Sequence, residues 1–302
     1  MRILLAVSGG IDSMYMAERS LRGDLSSAFG SEPCEFDVAH MNFRLRGKES
    51  DGDEQFVRDW CDKHRDRIKH CYVKRPGTAA YAAEHGISIE MAARELRYSF
   101  FRDLCLIGEY DAVAVAHNAD DNAETLMLNL LRGCGSRGLR GMSADSGVYP
   151  LRIIRPLLGV SRAEIRKWME AEGLTWREDS TNAETVFKRN KLRSKVMPVF
   201  AEINPSYLRT LSADMERFAQ VDDIAEDYCR QAAEVCILPD GAIDLKKVLT
   251  FKHWEYLLFR FTEGNLNADG LLRLKKSVES GRPLGGKKFG PYTVRKGKLR
   301  LI

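Results

Sequence analysis

One hexapeptide constrains this chain more than any other feature: Ser8-Gly9-Gly10-Ile11-Asp12-Ser13, which follows the apolar run Ile3–Val7 and precedes Met14, Met16 and Ala17. The run reads as a buried strand and the residues after the glycines as the start of a helix. Paired glycines let backbone N–H groups approach an anion, and a helix N-terminus adds partial positive charge. Two serines supply hydroxyl donors, and Asp12 is a candidate partner for a metal or a nucleophile. A plain turn calls for neither the serines nor the Asp. The loop lacks the Lys of G-x-x-x-x-G-K-[ST]. A G-x-G-x-x-G does occur, Gly133-Cys134-Gly135-Ser136-Arg137-Gly138. It follows a helical pattern rather than a strand, so it reads as a helix exit and not as a dinucleotide site.

The first half alternates apolar strands with helical periods. Strands are expected at Ile3–Val7, Phe36–Met41, Ile68–Val73 and Asp111–His117, with a fifth at Val148–Leu158. Helices are expected at Asp12–Leu21, Asp51–Arg67, Ile89–Ile107 and Asp120–Arg132. This rhythm predicts an α/β domain with a parallel five-stranded sheet flanked by helices, and ligands beyond the carboxyl ends of the strands. Ser8, His40 and His117 lie at such ends. Ser161-Arg162-Ala163-Glu164 reads as a capping box opening a helix to about Glu172. Further helices are expected at Lys188–Phe200, Tyr207–Cys236, Phe251–Phe261 and Ala268–Ser280, with short strands in Lys287–Ile302. The domains expected are 1–205 and a smaller α+β domain, 206–302.

Seven cysteines, an odd number with no C-x-x-C pair, argue against a disulfide framework or structural zinc. No apolar run is long enough for a membrane span, and the N-terminus enters a strand directly, which points to the cytoplasm and to no membrane partner. Residues 271–302 hold ten Lys or Arg and one acid, in a chain whose net charge is only +4. A basic module on an otherwise acidic body suits a polyanion.

Asp120, Asp121 and Glu124 share a helix face just after His117. Three acids so close repel one another unless a cation, either Mg²⁺ or an amino group, sits among them. Either Asp120 or Asp121 can carry the metal. His40 fits a nucleotide contact and a hydrogen-bonded structural histidine equally. Arg94 and Arg97 share a helix face and suit phosphate or developing charge, though Glu90 and Glu95 are alternative partners. Asp179 or Ser180 is expected to cap a turn. Lys188, Arg189, Lys191, Arg193 and Lys195 form a dense cluster that a polyanion contact explains well.

The hexapeptide resembles the pyrophosphate loop of the PP-loop ATP pyrophosphatases, with their adenine nucleotide α-hydrolase-like fold. SGGIDS, AHMNFRLRGKESDGDE, AARELRYSFF, AHNADDNAETLMLNLLRGCGSRGL, RPLLGVSRAEI and WREDSTN…FKRNKLR, in that order, resemble the tRNA(Ile)-lysidine synthetase family within it. Residues 210–302 resemble, more loosely, that family's tRNA-contacting domain, and its C-terminal β domain is expected to be absent. The resemblance implies a ligase for tRNA modification. ATP adenylates the wobble cytidine of a CAU-anticodon tRNA(Ile), pyrophosphate leaves, and free L-lysine displaces AMP at carbon 2 to form lysidine. It implies ATP bound by Ser8, Gly9, Gly10, Ile11, Asp12 and Ser13 with His40 and His117. It implies Mg²⁺ at Asp12 and Asp121, and catalysis by Asp12, Asp121, Glu124, Arg97 and Arg94, with Glu124 taking the lysine ammonium. tRNA would be held by Lys188, Arg189, Lys191 and Arg193. Dimers occur in the family, so a homodimer is one option. The alternatives are another PP-loop enzyme, either tRNA-thiolating or amide-forming, and a non-catalytic nucleic-acid-binding module.

Overall fold

A computed structural model of the chain describes all residues except 31–32, 149, 179–186 and 282. The expected turn cap at Asp179 or Ser180 lies outside the described residues. The chain divides into two compact units, Met1–Arg217 and Phe218–Ile302.

The first unit runs β1 (Arg2–Ala6), α1 (Ile11–Arg22), a single turn α2 (Ser26–Phe29), β2 (Glu35–Met41), α3 (Lys48–Lys63) and β3 (Ile68–Lys74). It continues through α4 (Thr78–His85), α5 (Ile89–Gly108), β4 (Ala112–Ala114), α6 (Ala119–Arg132), α7 (Ser136–Leu139), β5 (Asp145–Val148) and β6 (Leu151–Ile154). Then follow α8 (Arg162–Ala171), α9 (Phe187–Lys191), a π-helical turn (Leu192–Val196), α10 (Met197–Ile203) and α11 (Tyr207–Cys236), in which the division between units falls. The sheet has the order β3-β2-β1-β4-β6-β5, parallel except for the β5–β6 pair.

The central strand carries Ile3, Leu4 and Leu5, all fully buried, because helices cover both faces and leave no solvated side for a polar residue. Chain order reverses about β1, whose neighbours are β2 and β4, so the crevice at their carboxyl ends is the topological switch point. On one face Met14, Met16 and Ala17 of α1 join Leu157, Ile165 and Met169, and Tyr15 meets Trp168 edge-on at 5.1 Å. On the other, Phe100, Phe101 and Leu104 of α5 pack with Leu4, Val113 and Ile153.

The sheet has six strands where five were expected. The single strand foreseen at Val148–Leu158 is a hairpin, and its first arm, Asp-Ser-Gly-Val, carries too few apolar residues to announce an edge strand. The Lys188–Phe200 helix is interrupted by the π-helical turn. The glycine-rich stretch after α6 is the helix exit expected of it, with Gly133 at φ +78°.

In the second unit β7 (Ile243–Asp244), α12 (Leu245–Val248), α13 (Trp254–Phe261) and α14 (Ala268–Glu279) precede β8 (Lys288–Phe289), β9 (Tyr292–Arg295) and β10 (Lys298–Leu301). The antiparallel sheet has the order β7-β10-β9-β8, and Leu257, Leu258, Leu266 and Leu274 form a fully buried core with Val294 and Leu299.

Candidate active site

The loop after β1 sits at the switch point. Val7 N–H extends the ladder to Ala39 O at 3.0 Å, and the chain then turns at Gly9, whose φ of +95° is a conformation that L side chains rarely adopt. Gly10 is the N-cap of α1 and has no side-chain cap, so the first helical N–H groups face the pocket without an internal acceptor. Ser13 shapes the loop from within. Its Oγ donates to Gly10 O at 2.8 Å, accepts from Ser8 N–H at 3.1 Å, and lies 3.1 Å from Ser8 Oγ. Ser8 is exposed on the rim.

A cavity of about 640 Å³ opens here, lined by Ser8, Gly10, Ile11, Asp12, Ser13 and His117, together with Phe43, Arg97, Tyr98 and Arg177. Asp12 Oδ1 is buried without a hydrogen-bond partner among the described residues. Burial raises its pKa above the ordinary carboxylate value. Arg162, the Asn118 amide and Arg193 pull the other way, and Asp121 adds to the rise. An orphaned carboxylate oxygen fits a cation site. Asp121 is already engaged: it closes a capping box on Asn118, and its Oδ1 accepts from Arg162 Nη2 at 3.0 Å. Among the described residues no three His, Cys, Asp or Glu are grouped to hold a metal. Mg²⁺ commonly uses one or two carboxylates plus substrate phosphates, a role that Asp12 suits directly.

Arginine side chains, which the sequence reading did not place there, lie among the three acids. Glu124 is 1% exposed, takes Arg193 at both oxygens (2.8 and 3.1 Å), and has Arg189 Nε at 3.2 Å and Arg162 Nη1 at 3.7 Å. Asp120 Oδ2 accepts from the Arg162 backbone at 2.8 Å. Arg189 and Arg193, four residues apart, therefore turn inward, while Lys188 and Lys191 are exposed. Arg97 lies over the Phe43 ring at 5.3 Å and Arg94 over Tyr98 at 4.9 Å. Arg97 is exposed to the pocket yet closely surrounded by protein, and burial, with Arg94 adding, lowers its pKa.

The two histidines differ. His40 is buried with Nδ1 2.8 Å from Val7 O, which fits the structural reading, and its Nε2 has no partner among the described residues. Burial lowers its pKa. His117 lines the cavity with a buried, unpartnered Nδ1. Its pKa falls from the ordinary 6.5 to about 4, through burial first and then through Arg155, Arg189, Arg97 and Arg94. Between those two values the unfolded chain binds a proton that the folded one refuses, so stability drops as pH falls from about 6.5 towards 4. Asp12 contributes the opposite sign, because its raised pKa makes the folded state the better proton binder. The midpoint of urea unfolding is therefore expected to fall across that range, and to fall less in His117→Gln. An identical fall in the variant contradicts the assignment.

Sequence reasoning singled out neither Arg155 nor Arg162 nor Arg177. Arg162 lies inside the Ser161–Glu164 capping box, Arg155 opens RPLLGVSRAEI and Arg177 lies in WREDSTN; spacing gives no sign that their side chains return to this rim.

The family model for the PP-loop domain matches residues 1–200. The chain is similar to proteins named tRNA(Ile)-lysidine synthase. It is 39% identical to that of Bacteroides thetaiotaomicron, over 80% of this chain and 53% of that protein. Identity is 44% with the Chlorobaculum tepidum protein, over 75% and 64%. With the Parabacteroides distasonis protein it is 36%, over 85% and 55%. The chain thus spans 53–64% of the length of these curated relatives. Its fold is similar to that of the U34-tRNA thiolase NcsA from Methanococcus maripaludis, with TM-score 0.59, 17% identity and 73% of each chain covered. Among the described residues no helix is long and apolar enough to cross a membrane.

Proposed function

The chain belongs to the PP-loop domain family, and from that premise we propose that it is an ATP-dependent tRNA(Ile)-lysidine synthetase. The observation that carries this is the orphaned Asp12 carboxylate, in one cavity with an uncapped glycine loop and the arginine-flanked His117. The relatives' shared name supports the choice of substrate.

In this reading the backbone N–H groups of Gly9 and Gly10, with Ser8, hold the phosphates, while Ser13 keeps the loop in shape. The wobble cytidine's O2 attacks the α phosphorus of ATP. The bond to the β-phosphate oxygen breaks, and its electron pair leaves with pyrophosphate. The ε-amine of lysine then bonds to carbon 2, loses a proton and expels AMP. Mg²⁺, held by Asp12 and the phosphates, would supply charge neutralisation on the triphosphate. Asp121, which accepts from Arg162 at 3.0 Å, would be the second carboxylate for that ion. Arg97 and Arg94 offset charge on the α phosphate or the activated base. Neutral His117 can accept a hydrogen bond at Nδ1 without adding charge. Glu124 takes the lysine ammonium in exchange for Arg189, which meets one carboxylate oxygen at 3.2 Å where Arg193 meets both. Lys188 and Lys191 meet RNA, and the second unit, basic in its own right, is a further candidate for a polyanion contact. The cytoplasm, where tRNA is found, and a homodimer belong to the same proposal.

Incubation with ATP, labelled lysine and tRNA isolated from cells lacking the modification is expected to label one tRNA species at its wobble position. Label absent from RNA, or sulfur incorporated instead of lysine, contradicts the proposal.

A further inference from the structure

Arg177 approaches the glycine loop from the α3 side. Its backbone N–H donates to Gly9 O at 2.9 Å, which clamps this segment to the residue at φ +95°. Its guanidinium runs back to α3, where Nε donates to Asp53 Oδ1 at 2.9 Å, and Asp53 Oδ2 takes Arg46 Nη2 at 2.7 Å. The Asp53 side chain is 10% exposed, so one nearly buried carboxylate fixes two guanidiniums, with Glu49 also 3.7 Å from Arg46. Among the described residues' hydrogen bonds, the Arg177 side chain uses Nε alone, which leaves the N–H groups of both terminal nitrogens to a ligand. The side chain lines the same cavity as Ser8, Gly10 and Asp12.

Side matters. Asp53 follows β2, on one flank of β1, whereas His117 and the Asp121–Glu124 cluster follow β4, on the other. If the target base meets the α phosphate on the β4 flank, the outer phosphates lie towards α3. Resting on the function proposed above, we infer that Arg177, positioned by Asp53, binds the β and γ phosphates and offsets the charge that gathers on pyrophosphate as the bond to the α phosphorus breaks. A planar guanidinium held at one edge presents its other edge to phosphate oxygens with little loss of freedom.

Gly52 supplies a test that leaves every polar group in place. It lies inside α3, where Ala is the better helix former, and a Cβ there would sit 3.1 Å from Arg177 Nη2 and push the guanidinium aside. The measurement is calorimetric affinity of the full chain for ATP and for AMP, without tRNA. Arg177→Gln is expected to weaken ATP by about tenfold and leave AMP unchanged. Gly52→Ala and Asp53→Asn are expected to shift the ATP-to-AMP ratio in the same direction by less, and Arg177→Lys to restore part of it. A ratio in Arg177→Gln and Gly52→Ala equal to the parent's overturns the inference while leaving the functional reading intact. A parent protein that binds neither nucleotide removes both.

Discussion

Asp12→Asn is expected to lower tRNA-dependent AMP formation by at least about 10²–10³-fold while leaving thermal stability unchanged or slightly higher. The two readouts must separate, because burial makes the ionised carboxylate costly in the free protein. Its pKa is raised and its Oδ1 has no partner among the described residues. A group held above its ordinary value favours the folded state only when protonated, so at neutral pH Asp12 weakens folding, and an amide relieves that cost. Retaining such a group makes physical sense where a bound cation discharges it. Initial rates with labelled ATP, beside a melting curve, check both arms. Activity within tenfold of the parent, or a marked loss of stability, contradicts the assignment.

Glu124→Ala is expected to lower stability as well as lysine transfer, and the stability loss is the part the geometry sizes. The carboxylate is almost fully buried and is shared by Arg193, Arg189 and Arg162. Removing it leaves three guanidiniums converging on a dry site. Breaking a buried pair costs about 3–5 kcal/mol when both partners are dry. Arg189 and Arg193 each keep about a third of their side-chain surface in water, so the lower end, about 3 kcal/mol, applies here. For a unit of this size that corresponds to a melting temperature lower by about 6–12 °C. Glu124→Gln, which keeps the shape and one acceptor, should lose less. A calorimetric shift under about 2 °C for Glu124→Ala contradicts the view that this carboxylate organises α6 and the helices after it.

The parts of the fold that could be read from sequence are those where period and punctuation agree. The β1–glycine–α1 passage is one, since only glycine suits φ +95° and a fully buried strand must be apolar throughout. The long α11 is another, its pattern uninterrupted over thirty residues. The β5–β6 hairpin does not show in the sequence as two strands, because Asp145-Ser146-Gly147 carries no apolar alternation. The π-helical turn gave no sign, since one extra residue per turn leaves composition unchanged. Within the site, Asp12, His117 and Arg97 could be found because they lie on or beside strand ends and helix faces that periodicity locates. The arginine answer to the acid cluster could not: Arg162, Arg189 and Arg193 reach Glu124 from 38 to 69 positions along the chain, and spacing cannot report such a meeting. Lys188 and Lys191 share the composition of Arg189 and Arg193 but face solvent, a distinction set by the helix face alone.

The central claim is that the glycine loop directs a triphosphate's α phosphorus towards RNA, so the most direct measurement is the identity of the cleaved bond. With ATP labelled in the α phosphate, tRNA bearing a CAU anticodon and lysine, the account predicts AMP and pyrophosphate in amounts equal to the lysine incorporated. Release of ADP and inorganic phosphate, or AMP formed at the same rate without tRNA, contradicts it.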